Sequence, residues 1–126
     1  MRPRYIQVDL LIEGDFNLRR LVKFFGDAAF ELWPIRPHEA VLELNGLDGS
    51  MNKTLRRFCE VVEAFPPAGR VLWDKATKRV FDIGFESGDR GRAMSLAVQP
   101  ALLRRIAALG ATIAITIYAV PPPEHR

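Results

Sequence analysis

Two pairs of carboxylates recur at even spacing within apolar segments, Asp9 with Glu13 and Asp82 with Glu86. On an extended chain residues an even number apart share one face. Each pair therefore projects from one side of its strand. If those faces line a cleft, Asp9, Asp82 and Glu86 make an acidic site for a small molecule or for acid–base chemistry. The outward face of a half-exposed sheet carries similar residues without any such role.

Other reactive groups meet a physical objection. Lys53-Thr54 at the start of a helix imitates the end of a phosphate-binding loop, but Asn52 stands where that loop needs glycine to wrap its backbone around the phosphate. His38 and His125 are the only histidines and form no metal-ligand cluster, since a zinc site needs three or four close ligands. Cys59 falls on the apolar stripe of a helix, where burial holds a thiol protonated and inert. Ser50, Ser87 and Ser95 read as a cap, a turn and a strand residue, none in a nucleophile elbow. No catalytic residue, metal site or cofactor motif emerges.

Two further groups suit partners. Arg19, Arg20 and Lys23, then Arg56 and Arg57, then Arg104 and Arg105 project from outward helix faces and would neutralise phosphates if those helices shared a layer. Lys53 belongs with them, while Glu60 and Glu63 interrupt the patch, and no aromatic-rich strand motif offers a platform for bases. Trp33, Pro34 and Arg36, with Trp73 on a nearby strand, are the best candidates for a protein-contact surface, because aromatic and arginine side chains anchor interfaces. Filling the core is the ordinary alternative for both tryptophans.

These residues need elements to hold them. Ile6, Val8, Leu10 and Ile12 alternate with Gln7 and Asp9, which predicts a strand over 5–13. Asn17 caps a helix over 18–25 with Leu18, Leu21, Val22 and Phe25 on one side. Pro34 and Pro37 make 28–38 irregular or an edge strand, and 40–44 is a short strand. Met51, Leu55, Phe58, Cys59, Val62 and Phe65 trace one helical stripe, with Arg56 and Glu60 four apart on the outside, and Pro66-Pro67 ends it. Strands follow at 71–74, 79–86 and 93–98. Pro100 opens a helix that Gly110 closes, and 112–118 is a final strand with Ile113, Ile115 and Ile117 inward. The prediction is an α+β domain: a mainly antiparallel sheet with about three amphipathic helices packed on one face.

The chain of 126 residues has the size of one domain. The reading takes it as a single unit, with an ordered core over about 5–118 and a flexible proline-rich tail over 119–126. Eighteen basic residues against fifteen acidic give a net charge of +3, which permits an acidic partner without requiring one. One cysteine fits a reducing compartment. The opening residues lack the apolar segment of a signal peptide, and no run approaches the roughly 18 apolar residues of a membrane span. A bacterial cytoplasmic location is the expectation.

The stretch Val80-Phe81-Asp82-Ile83-Gly84-Phe85-Glu86, together with Leu102–Tyr118 (LLRRIAALGATIAITIY), resembles the closing half of a bacterial family of small domains of unknown function, catalogue number 4279. The likeness extends over about 5–118 through the opening strand and its small-residue turn, the short helix and the tryptophan segment. In the family's pattern a proline precedes that tryptophan, whereas Pro34 follows Trp33 here. The resemblance implies no activity and no catalytic residue.

The sequence thus favours a non-catalytic protein-interaction module, such as an immunity or adaptor protein, bound to another protein or to itself. The alternatives are a small-molecule binding or enzymatic domain with an acidic cleft at Asp9, Asp82 and Glu86, and a nucleic-acid-binding protein using the basic helix faces.

Overall fold

The opening strand is the centre of the fold. A computed structural model describes residues 3–34, 36–46, 49–88 and 93–119. In it β1 (Arg4–Glu13) lies in the middle of a five-stranded sheet, flanked by β3 (Glu39–Leu44) and β4 (Lys78–Glu86), both antiparallel to it. The short β2 (Ala29–Glu31) forms one edge against β3, and β5 (Thr112–Tyr118) forms the other, parallel to β4. The helices are α1 (Arg19–Val22), continued by a 3-10 segment over Lys23–Ala28, then α2 (Met51–Glu63), α3 (Pro67–Lys75) and α4 (Pro100–Ala108). The architecture is α+β with a mainly antiparallel sheet, as the apolar periodicities require, and it has one helix more than they predict.

Alternation decides which face is covered. Val8, Leu10 and Ile12 of β1, Leu42 of β3 and Phe81 and Ile83 of β4 are all buried, and they meet Leu55, Phe58, Cys59 and Val62 of α2. Burying one such side chain stabilises the fold by about 1.5–3 kcal/mol. Ser50 caps α2 by accepting the Lys53 amide at 3.2 Å, and Pro66 takes the extended conformation that ends it. Outside α2, Arg57 rather than Arg56 pairs with Glu60, at 3.6 Å, while Arg56 donates to Gln99 Oε1 at 3.2 Å.

Several expected elements are corrected. Residues 71–74 are not a strand but the end of α3. Pro67 stands at its first turn, where a missing N–H costs nothing, and Gly69, Leu72 and Trp73 turn inward at helical spacing. Residues 93–98 form no strand either. Both sides of β4 are taken by β1 and β5, so this segment runs over the helical side, held by Asn52, whose Nδ2 donates to the Ala97 carbonyl at 2.7 Å and whose Oδ1 accepts the Gln99 amide at 3.2 Å. The predicted helix over 18–25 yields after one turn to the 3-10 segment, and Gly26 leaves that segment at φ 54°, a left-handed conformation open to glycine.

Two inward assignments also change. The β1–β4 register shifts between Tyr5 and Gln7, a bulge that leaves Ile6 exposed on the open face and swings Tyr5 against Phe85 instead. On β5 only Ile113 packs against the core, while Ile115 and Ile117 remain exposed because no helix reaches that far across the sheet. Leu47 and Asp48 of the loop before α2, Asp89–Gly91 of the loop after β4, and the tail beyond residue 119 with His125 lie outside the described residues.

Candidate functional site

The open face of the sheet brings the predicted carboxylates together. Asp9 of β1 and Asp82 of β4 are direct cross-strand partners, and with Gln7, Gly84, Glu86 and Tyr118 they line a shallow depression of about 310 Å³. Gly84 adds no side chain to it, and a Cβ there would stand in ordinary contact 3.4 Å from the Tyr118 ring. Like charges directly opposite destabilise a sheet, and the local groups relieve the conflict. Thr116 donates its hydroxyl to Asp82 Oδ1 at 2.7 Å, and Gln7 donates its amide to Asp9 Oδ1 at 3.0 Å. Partial burial, then the charge of Glu43, push the Asp9 carboxyl up to about 6, against the smaller downward pull of the Gln7 bond. Glu86 is less available, because Arg4 pairs with it at 3.3 Å.

The residues proposed for a protein contact do not assemble. Trp33 (55% exposed), Pro34 and Arg36 are exposed between β2 and β3, where Arg36 makes a backbone bridge to Glu39. Trp73 is fully buried, and its Nε1 donates to the Leu109 carbonyl at 2.8 Å. A side chain that pins α3 to the end of α4 cannot touch a partner, so Trp73 is removed from the contact surface.

The basic residues divide. Arg105 is committed to Glu63 through two hydrogen bonds, the shorter at 2.6 Å, and that bond lowers the Glu63 carboxyl. With Arg57 on Glu60, two arginine charges on the α2–α4 surface are compensated, while Arg56 keeps its charge and is held by the neutral Gln99 amide. Arg19, Arg20, Lys23 and Arg104 are exposed.

The near-misses end as structural groups. Thr54 donates its hydroxyl to the Ser50 carbonyl at 2.9 Å and is buried. Burial pushes the Cys59 thiol up to about 11. His38 Nδ1 lies 3.0 Å from the Gly14 carbonyl. Among the described residues no group of three His, Cys, Asp or Glu side chains could hold a metal ion, and no helix is long and apolar enough to cross a membrane.

A larger concavity escaped the sequence reading. On the covered face, beside the start of α2 at Met51, a groove of about 530 Å³ opens between β5 and the 93–98 segment. Ile83 and Phe85 of β4 and Ile115 and Ile117 of β5 line it from the sheet, and Met94 and Leu96 line it from the 93–98 segment. In register, Ile83 stands beside Ile115 and Phe85 beside Ile117. Ile115 and Ile117 are 63% and 66% exposed. Covering each would contribute about 1–2 kcal/mol, well beyond what scattered surface apolar residues offer. The signal in the sequence was the run Thr112–Tyr118, whose alternating isoleucines extend past what the described helices cover. Comparison with protein-family models, with curated proteins and with solved structures returns no match.

Proposed function

We propose that this protein is a non-catalytic protein-interaction module that takes an extended apolar segment along β5. One observation carries the reading: the sheet ends on a seven-residue strand without a charged side chain, and exposed Ile115 and Ile117 of that strand wall an apolar groove. An added strand would satisfy the outer backbone groups of β5, and its alternate side chains would enter the groove, which divides affinity and specificity in the way of strand addition. Immunity and adaptor roles both fall within this class.

The test is a displayed library of random linear peptides selected on the immobilised protein. Selected peptides should carry apolar residues at every second position and shift the backbone NMR signals of Ile115, Ile117 and Met94. Ile115→Lys combined with Ile117→Lys should weaken binding at least tenfold, as the loss of about 1.4 kcal/mol or more requires. Peptides that map elsewhere, or that bind the double variant equally, would exclude β5.

A second reading rests on the opposed Asp9 and Asp82. The depression around them suits a small cationic ligand, whose charge would replace the proton that Asp9 holds up to about pH 6. Titration with a small diamine should lower the Asp9 titration midpoint, and Asp82→Asn should weaken that effect.

A further inference from the structure

We infer that the segment covering β5 is the β5 strand of a second copy, paired antiparallel about a two-fold axis through Ile115. The inference rests on the reading of β5 as the contact strand and adds the identity of what it contacts.

The two edges of the sheet are built differently. Proteins protect free edges by making them short or by placing charge or proline on them. β2 has three residues and carries Glu31. β5 has seven, five of them β-branched, with neither charge nor proline. It is a good strand for pairing and has no device against it.

The strand is also self-complementary. Antiparallel pairing centred on Ile115 sets Ile113 opposite the partner's Ile117 and Ala114 opposite the partner's Thr116. Residues opposite one another share a face, so all the isoleucines of both copies gather on the groove side, and the small and hydroxyl side chains gather on the other. An isologous contact requires this of one patch meeting itself. No charged side chain of β5 is brought against its like.

The groove continues the same contact. Ile115 and Ile117 belong both to the edge strand and to the groove lining, so a two-fold axis at Ile115 brings the two grooves together on one face of the joined sheet. Met94, Leu96, Ile115, Ile117 and Tyr118 are all exposed.

Sedimentation of the purified chain across a wide concentration range tests this. The expected mass is twice that of one chain, returning to the single-chain mass in Ile115→Lys. Because that variant also alters a strand, Ile115→Cys provides an independent measurement. Position 115 faces its own copy at the axis, so mild oxidation should link the chains through it, whereas Phe30→Cys on β2 should not link. A single-chain mass at every concentration overturns the inference. If such a monomer still takes selected peptides along β5, the strand serves a different protein and the broader reading stands; if it takes none there, both fall. A dimer that persists in Ile115→Lys, with no link through position 115, places the contact elsewhere and overturns the inference.

Discussion

Asp9 shows how one residue records its surroundings. Its carboxyl ionises near 6 in the folded protein, against an ordinary value near 3.8, because burial and Glu43 disfavour its charge. Between those values the folded state holds a proton that the unfolded state has released. The destabilisation is therefore fully present above pH 6 and disappears as pH falls toward 4. Asp9→Asn should stabilise the protein at pH 7 by about 1 kcal/mol, a figure reduced for the side chain's partial exposure. The gain should vanish by pH 4. Urea denaturation of both proteins across this range checks it; a constant difference would mean that Asp9 is not the titrating group. That Asp9 and Asp82 each lie on the side of their strand opposite its apolar residues was legible from period-two spacing. Their direct opposition was not, because no local signal marks the register of two strands so far apart in the chain.

Among the elements, α3 and α4 are joined by a residue that sequence reasoning passed over. Arg79, the second residue of β4, donates through Nη1 to the carbonyls of Trp73 at 2.9 Å and Ala76 at 2.7 Å, and through Nε to the carbonyl of Gly110 at 3.1 Å. It thus places one positive charge at two helix C-termini, where the helix dipoles favour it. Arg79→Met should cost about 2–3 kcal/mol in denaturant melts, since several charge-assisted hydrogen bonds vanish together. Gly110 has φ 68°, and a Cβ there would meet Arg79 Nη2 at 2.7 Å. Gly110→Ala should cost about 1–2 kcal/mol through its backbone, with an added steric part. That steric part should disappear in the Arg79→Met background, making the double variant milder than the sum of its parts. Strict additivity would mean that the side chain moves aside freely. The stripe of α2, the Pro100–Gly110 helix and the strands β1, β4 and β5 were all legible, because each has a sustained period or a marked cap. Residues 71–74 and 93–98 were misread as strands for a shared reason: a short apolar run has no period of its own. Trp73 was mistaken for a surface residue by the same error.

For the whole molecule, the unequal edges lead to a test that needs no substitution. β1 and β4 are paired on both sides and belong to the core, so their amides should exchange with solvent slowest, through global unfolding alone. Among the described residues β2 and β5 each have one unpaired side. In a lone chain the outward amides of both should exchange quickly at any concentration. If two copies pair through β5, its outward amides should slow as concentration rises, while those of β2 stay unchanged and serve as the internal reference. Mass action sets this behaviour, because only the paired form adds hydrogen bonds to β5. The comparison also separates a specific pairing from general association, which would slow exchange at both edges. Equal behaviour of β2 and β5 at every concentration would leave the uncharged strand without a second copy, and its exposed isoleucines would have to answer to a different protein.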